Sequence, residues 1–265
     1  MLRFPDITPT ILKLGMFEIR WYGLLYIVGF IIGYIFVIKN LAYKHIKLKK
    51  DEYESLLFNL MLGVIVGGRI GYVLFYNLSY YLHNPLQIFT VWQGGMSFHG
   101  GALGVIVFGF LFCRKHKLNF YTLADPVIPL VSVGLFFGRI GDFINAELYG
   151  KTTSVPWGMI FPHSDGKPRH PSQIYEALLE GLLLFLITNF MFRKIKQPGF
   201  VFWAWIGFYG LFRFLVEFLR EPDAHLGYVL GFMTTGQVLS SIMIVTSLVA
   251  IGLLLWKKNE KLIEE

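Results

Sequence analysis

The chain has 265 residues, of which 55% are hydrophobic and only 15% are charged, and its mean hydropathy is +0.56. A soluble domain usually carries about 25% charged residues, so this composition excludes an ordinary cytosolic enzyme. The single cysteine, Cys113, excludes an internal disulfide and any CxxC site. The net charge of +7 fits the positive-inside loops of a membrane protein, and no nucleic-acid partner is expected.

Apolar stretches recur along the whole chain. A bilayer core about 30 Å thick needs roughly 20 apolar residues in each helix that crosses it. The stretches of that length lie at about 19–38, 55–76, 94–113, 121–144, 173–192, 199–219 and 234–256. We therefore predict an all-α polytopic membrane protein with about seven transmembrane helices, built as a single transmembrane domain over residues 1–265.

The distribution of lysine and arginine predicts the orientation. Four segments on one side, at 39–50, 114–117, 193–196 and 257–261, carry 14 of these residues, and the four segments on the other side carry seven. The positive-inside rule then places the N-terminus outside and the C-terminus in the cytoplasm. The outer segment at about 145–172 contains four prolines and three glycines, which predicts a small irregular periplasmic cap.

Three arginines lie inside the predicted spans, namely Arg69, Arg139 and Arg213. A buried charge of this kind costs roughly 2.5–3.5 kcal/mol on insertion scales, so each one is a functional candidate. Each lies five to seven residues before the outer end of its span, which predicts one common depth in the outer leaflet. Arginine matches phosphate oxygens with two donors, so the pattern indicates a phospholipid headgroup site. Snorkelling towards the outer surface is the alternative.

Two of these arginines share their local sequence, because residues 68–71 and 138–141 both read Gly-Arg-Ile-Gly. Small residues beside an arginine let neighbouring helices approach closely. Arg213 has Glu217 four residues later, a spacing that favours an ion pair.

His99 lies near the start of the third span, just below the outer surface, and Tyr22 lies at a similar depth in the first span. Histidine is the side chain that takes a proton near neutral pH. The four glycines around His99 remove side-chain bulk and are predicted to leave space for a substrate. After the fourth span, Arg169 and His170 precede Ser172, a predicted helix N-cap, and they serve either to anchor the cap or to bind substrate.

The absence of two catalytic motifs reduces the number of reactions that the chain is expected to catalyse. The chain has neither G-x-S-x-G nor H-E-x-x-H, so neither a serine hydrolase nor a zinc protease is indicated, and the nucleophile is expected to arrive with the substrate. A polytopic lipid or anion transporter is an alternative, but it would need polar residues towards the cytoplasm, where residues 201–205 are apolar. Another phospholipid-dependent transferase also stays open.

The chain resembles the bacterial prolipoprotein diacylglyceryl transferases over essentially its whole length. The motifs that carry the resemblance lie at 21–23, 67–77, 95–101, 138–147, 169–173, 175–176, 209–210 and 220–223, together with Arg213 and Glu217. Members of this family act in the bacterial cytoplasmic (inner) membrane. The resemblance implies transfer of a diacylglyceryl group from phosphatidylglycerol to the lipobox cysteine thiol of a prolipoprotein signal peptide. This reaction forms a thioether, releases glycerol 1-phosphate and is the first step of lipoprotein maturation.

The resemblance also implies roles for individual residues. Arg139 and Arg213 would bind and activate the phosphate, and His99 would be the base. The predicted substrate-binding residues are Tyr22, Arg69, Asp142, Asn145, Glu147, Tyr209, Glu217 and Arg220. We expect a monomer among membrane lipids, with its active site facing the outer leaflet and with no cofactor.

One position departs from the family pattern, because Asp142 stands where the family signature has Asn. Asp142 lies three residues after Arg139, close enough for an ion pair that would compete with lipid phosphate. The carboxylate also lacks the donor that an amide would supply. The sequence therefore predicts impaired activity at this position.

Overall fold

The computed structural model describes residues 2–14, 17–91, 94–162, 164–221, 228–229 and 233–264. The chain divides into two compact units. The first unit is formed by Met1–Asn40 and Asp125–Glu265, and the second by Leu41–Ala124.

Helices dominate the described residues. The α-helices are α1 (Trp21–Tyr43), α2 (Lys50–Tyr76), α3 (Leu78–His83), α4 (Phe98–Lys115), α5 (Phe120–Val127), α6 (Val131–Ile144), α7 (Ser172–Glu176), α8 (Leu184–Lys194), α9 (Phe200–Val216) and α10 (Thr235–Glu264). Short 3₁₀ turns lie at Pro85–Phe89 and Ile128–Leu130, and a π-helical segment, Ala177–Leu183, joins α7 to α8.

Five of these helical stretches are long and apolar enough to cross a membrane. They are Trp21–Tyr43, Lys50–Tyr76, Phe120–Ile144, Ser172–Lys194 and Thr235–Glu260. The other two predicted stretches coincide with α4 and with the shorter apolar helix α9. The large apolar side chains of Ile27, Phe30 and Leu248 are exposed, as expected for helices that face lipid. The protein is thus an all-α polytopic membrane protein.

Short strands accompany the helices, which the sequence did not predict. They are β1 (Leu2–Arg3), β2 (Thr10–Leu14), β3 (Phe17–Arg20), β4 (Met159–Ile160), β5 (Tyr228–Val229) and β6 (Met233–Thr234). The strands β2 and β3 form an antiparallel hairpin directly before α1, and β1 pairs in parallel with β4. In the described part of 145–172, β4 is the only strand, so that segment is irregular.

Two predicted spans contain breaks in their regular helix. The stretch at 121–144 contains Pro126 and Pro129, which lack a backbone N–H, and it changes from α5 through a 3₁₀ turn into α6. In the stretch at 173–192, the π-helical segment brings Gly181 against Phe136 of α6, at a distance that leaves no room for a side chain. This close contact places α7 beside α6.

The core of the first unit forms where α9 meets α8 and α6. Leu184, Trp205, Tyr209 and Phe212 are buried together. The indole Nε1 of Trp205 donates to the Ser132 hydroxyl at 2.7 Å, and its ring stacks on Tyr209 with centroids 5.2 Å apart. This packing fixes the helix that carries Arg213.

In the second unit, α2 and α4 pack along faces of glycine. Gly63, Gly67 and Gly71 of α2 lie against Gly100 and Gly104 of α4, and a side-chain carbon added at Gly71 would lie 2.7 Å from the Gly100 Cα. Small residues allow this close helix contact. The glycines around His99 were predicted to leave space for a substrate, and for Gly100 this prediction was wrong, because α2 fills the space.

The start of α4 also differs from the prediction of residue 94. Gly94 and Gly95 have φ of +85° and +76°, which a helix does not allow. The helix begins at Phe98 instead, and the Ser97 hydroxyl accepts a hydrogen bond from the Gly100 N–H at 3.2 Å.

Candidate active site

Two of the three predicted arginines meet at one buried carboxylate in the first unit. The Nε of Arg139 on α6 lies 2.5 Å from one oxygen of Glu176 on α7, and the Nη1 of Arg213 on α9 lies 3.1 Å from the other oxygen. Glu176 is only 1% exposed. Neither of its oxygens makes a well-aligned hydrogen bond, so the contact is an ion pair governed by charge and distance.

The two ion pairs that the sequence spacing predicted are confirmed. Asp142 Oδ2 lies 3.0 Å from Arg139 Nη1, three residues apart on α6. Glu217 Oε2 lies 3.0 Å from Arg213 Nη2, four residues apart at the end of α9. Asp142 and Glu217 are both buried, so each carboxylate neutralises its arginine with little screening by water.

Glu176 and Glu180 also belong to this group of charged side chains, and neither was predicted as a site residue. Glu180 is fully buried, and its Oε1 lies 3.8 Å from Arg213 Nη1. Both of its oxygens lack a hydrogen-bond partner among the described residues. A usable signal was present, because two carboxylates one turn apart inside an apolar span are as unexpected as the arginines.

A third arginine, Arg220, lies at the edge of the group. Its Nε is 3.9 Å from Glu176 and its Nη1 is 4.0 Å from Glu217. We define the arginine–carboxylate cluster as the three guanidiniums and four carboxylates of Arg139, Arg213, Arg220, Asp142, Glu176, Glu180 and Glu217. Buried charges persist only when they are paired in this way.

Arg139 and Arg213 keep donors that no described residue uses. Arg139 engages carboxylates through Nε and Nη1, and its Nη2 has no partner among the described residues. Arg213 engages them through Nη1 and Nη2, and within the same described part its Nε is left over. These N–H groups are available to an anionic oxygen.

The other predicted residues of the first unit lie next to members of the cluster, either in sequence or by contact. The Tyr22 ring packs over Gly141, next to Asp142, and its hydroxyl lies 3.2 Å from that of Tyr26. Beyond α6, Asn145 Nδ2 donates to Glu147 Oε1 at 2.9 Å. Tyr209 is buried one helical turn before Arg213.

Arg169 is held by partners from the cap and from the segment after α9. Its guanidinium contacts Asp165 at 3.1 Å and Glu221 at 2.8 Å, donates to the Gly150 carbonyl at 3.2 Å, and lies over the Tyr149 ring. Of the two roles left open for Arg169, this geometry favours anchoring.

His170 and Ser172 lie at the start of α7, and both make contacts there. His170 Nδ1 lies 3.2 Å from the Tyr175 hydroxyl, and burial lowers the pKa of His170 below its usual value. The predicted N-cap role of Ser172 was wrong, because its hydroxyl donates to the Leu148 carbonyl at 3.0 Å while Pro171 precedes the helix.

Arg69, in the second unit, has different surroundings. Its Nε donates to the Ile88 carbonyl at 2.8 Å, its Nη1 to Gly94 and Gly95 at 2.6 and 3.2 Å, and its Nη2 to Gln87 and Thr90 at 2.5 and 3.4 Å. All five N–H donors of a guanidinium are thereby used. Arg69 is 4% exposed, and its predicted substrate contact stays a prediction with no donor left for it.

His99 also belongs to the second unit, where it is exposed in the first turn of α4. Its role as a base stays a prediction. Pro222 and Asp223, which carry part of the resemblance, lie outside the described residues. Within the described chain, no three His, Cys, Asp or Glu side chains are grouped so that they could hold a metal ion.

Comparison with known proteins identifies the family of this chain. The family model described as prolipoprotein diacylglyceryl transferase matches residues 9–253. A relative from Geobacter sulfurreducens is 55% identical over 239 residues, which cover 90% of this chain and 92% of the relative. One from Rickettsia africae is 45% identical over 98% of this chain and 100% of its own length, and one from Nitratidesulfovibrio vulgaris is 50% identical over 90% and 91%. All three are named phosphatidylglycerol–prolipoprotein diacylglyceryl transferase. The chain belongs to the prolipoprotein diacylglyceryl transferase family.

Proposed function

We propose that this chain is a transferase that moves the diacylglyceryl group of phosphatidylglycerol to the lipobox cysteine thiol of a prolipoprotein. The observation that carries the proposal is the meeting of Arg139 and Arg213 at Glu176, with one donor group left over on each arginine. Phosphatidylglycerol contributes a phosphodiester with one negative charge, which those donors bind. The names of the relatives support this choice of lipid and acceptor.

The reaction breaks one C–O bond and forms one C–S bond. The thiolate sulfur attacks the carbon of the diacylglyceryl unit that is bonded to the phosphate oxygen. The C–O bonding electrons leave with glycerol 1-phosphate. Negative charge therefore increases on the phosphate, where Arg139 and Arg213 stabilise it in a site that is partly shielded from water. A thiol with a pKa near about 8.5 needs only modest help to ionise. His99 accepts its proton, and no cofactor takes part.

The remaining residues of the site hold the headgroup and the arginines. Glu217 orients Arg213 through their 3.0 Å ion pair, and Asp142 occupies one donor of Arg139. The residues that we propose to line the lipid headgroup are Tyr22, Asn145, Glu147, Tyr209 and Arg220. For Arg69, whose donors are used by backbone carbonyls, we propose that it holds the segment before α4.

We further propose seven membrane crossings in the cytoplasmic membrane of a bacterium, with the N-terminus outside and the C-terminus inside. Helices α4 and α9 supply two further crossings in addition to the five longer ones. The bias of lysine and arginine supports the orientation. In this arrangement the chain acts as a monomer and as one transmembrane domain, residues 145–172 form a periplasmic cap, and the cluster faces the outer leaflet.

The test is a reconstituted transfer reaction. The purified chain is incubated in vesicles with phosphatidylglycerol and a synthetic lipobox peptide, and the peptide mass is followed. We expect the peptide to gain one diacylglyceryl group on its cysteine. Phosphatidylethanolamine in place of phosphatidylglycerol, and serine in place of the peptide cysteine, are the controls that should give no product. An unchanged peptide in the complete reaction would refute the proposed function.

A further inference from the structure

Glu176 stands out among the four carboxylates of the cluster because it contacts both Arg139 and Arg213. One oxygen lies 2.5 Å from Arg139 Nε, and the other lies 3.1 Å from Arg213 Nη1. Among the described residues, no other carboxylate lies within 4.0 Å of both arginines. The two guanidiniums come from different helices, so their mutual position depends on what lies between them.

The side chain of Glu176 is itself held in place. It is 1% exposed and lies at the end of α7, just before the π-helical segment that packs on α6. The preceding Gln173 is also buried, and its amide donates to the Glu147 carbonyl at 2.6 Å. A carboxylate in such a setting cannot move far, whereas an arginine side chain alone has many rotamers.

We propose that Glu176 is a positioning residue that fixes the spacing of the Arg139 and Arg213 guanidiniums for the lipid phosphate. This inference rests on the proposed function. Glu176 uses Arg139 Nε and Arg213 Nη1. Asp142 and Glu217 occupy Arg139 Nη1 and Arg213 Nη2, which leaves Arg139 Nη2 and Arg213 Nε for the phosphate. Donors that are already oriented stabilise developing charge without rearranging during the reaction. A misplacement of about 1 Å at a reacting group can cost about 100-fold in rate.

The chain offers a matched control in Glu180, which lies one turn later and is fully buried. It approaches Arg213 only at 3.8 Å and has no contact within 4.0 Å of Arg139 in the described residues. The variants Glu176→Gln and Glu180→Gln each remove one carboxylate from a cluster of three arginines and four carboxylates. Both variants replace a buried carboxyl group of the cluster with the same amide, so a difference between them reports on position.

The experiment measures kcat, KM for phosphatidylglycerol and melting temperature for the full-length chain and the two variants. In Glu176→Gln, the amide can accept from one guanidinium but turns a donor towards the other, so one arginine is released. We expect its kcat to fall about 100-fold while its KM changes less than about threefold. Glu180→Gln should lower kcat only about threefold, because Glu180 approaches Arg213 alone and from a greater distance than Glu176 does.

A further variant guards against loss of folding. Glu176→Asp keeps the charge but is one methylene shorter, so it can reach only one of the two arginines. We expect a kcat about tenfold lower, between those of the starting chain and Glu176→Gln. If Glu176→Gln does not fold, Glu176→Asp against Glu180→Gln decides the question.

Two results would overturn the inference while leaving the proposed function standing. One is an equal effect of the Glu176 and Glu180 variants, which would mean that the position of the carboxyl group between the two arginines does not matter. The other is a loss of activity that merely follows the folded fraction, which would mean that Glu176 only stabilises the fold. If the unchanged chain transfers nothing from phosphatidylglycerol, the proposed function itself fails, and this inference fails with it.

Discussion

Arg69 and Arg139 stand in the same four-residue sequence, Gly-Arg-Ile-Gly, and both lie near the end of a long apolar helix. Their partners are opposite in kind. Arg69 gives all five donors to neutral oxygens, which are four backbone carbonyls and the Thr90 hydroxyl. Arg139 pairs with the carboxylates of Asp142 and Glu176 and keeps Nη2 free of partners in the described chain.

This difference separates an arginine that shapes a loop from one that can bind a ligand. Neutral carbonyls use up the donors of Arg69 and leave its charge uncompensated by any carboxylate within 4.0 Å among the described residues. Carboxylates neutralise Arg139 but occupy only two of its three nitrogens. The local motif sets the helix position of the arginine, and the partners decide what it can do.

The largest expected effect comes from replacing the arginines of the cluster. Arg139→Lys and Arg213→Lys keep the charge, so no buried carboxylate loses its counter-ion, but the planar fork is lost. We expect each variant to transfer about 100- to 1000-fold more slowly, in the range seen when a donor to developing charge is removed. Peptide mass spectrometry on equal amounts of folded protein measures this. Near-normal turnover in either variant would remove the phosphate site from the account.

A smaller effect is expected for His99 in the other unit, and it should depend on pH. If His99 takes the thiol proton, His99→Gln should slow transfer strongly at pH 6.5, where only about 1% of a thiol with a pKa of about 8.5 is ionised. At pH 9 about three quarters is ionised, so the loss should shrink at least about tenfold. Initial rates at the two pH values measure the change. An equal loss at both would assign His99 to structure or headgroup binding.

For Arg69 the expected effect is on stability. Arg69→Lys offers three donors in place of five, so at least two of the four carbonyls and the Thr90 hydroxyl lose their donor, and each loss costs about 1 kcal/mol or more. For a chain of this size that corresponds to a melting temperature lower by roughly 5 °C or more. The rate per folded molecule should stay within about threefold of the starting chain. A variant that melts normally but transfers as slowly as Arg139→Lys would restore the substrate role that the sequence suggested.

The smallest expected effect is a gain. Asp142→Asn removes one of the two carboxylates on Arg139 and returns an amide that can donate to the headgroup. An exposed ion pair is worth about 0.3–1 kcal/mol and a buried one more, so we expect a rate or affinity at least about two- to fivefold higher. Turnover at several phosphatidylglycerol concentrations measures it. If the two forms match in every assay, Asp142 does not compete with the phosphate.

Much of this arrangement is visible in the sequence because it depends on local spacing. The apolar stretches predicted all five described helices that are long and apolar enough to cross a membrane. The spacings of three and four residues predicted the pairs of Arg139 with Asp142 and Arg213 with Glu217. The resemblance to the family was confirmed by the relatives.

The features that were missed depend on contacts between distant parts of the chain. The partners of Arg69 lie 18 to 26 residues later, in a 3₁₀ turn and in the irregular segment after it. No periodic pattern in the sequence predicts these contacts. Glu176 was not predicted as a site residue, although a carboxylate inside an apolar span is as costly as an arginine there. The hairpin of β2 and β3 is an exception, because its contacts are local: β3 alternates over only four residues and β2 has Ile11 next to Leu12, so neither strand is long and regular enough to predict.

The central claim is that Arg139 and Arg213 bind the lipid phosphate and Arg69 does not. Binding of phosphatidylglycerol without any peptide tests this most directly, because no turnover can obscure it. Native mass spectrometry would count the phosphatidylglycerol molecules retained by the starting chain, by Arg69→Lys and by the double variant Arg139→Lys with Arg213→Lys. The account predicts retention by the first two and loss from the double variant. Equal retention by all three, or loss from Arg69→Lys alone, would contradict it.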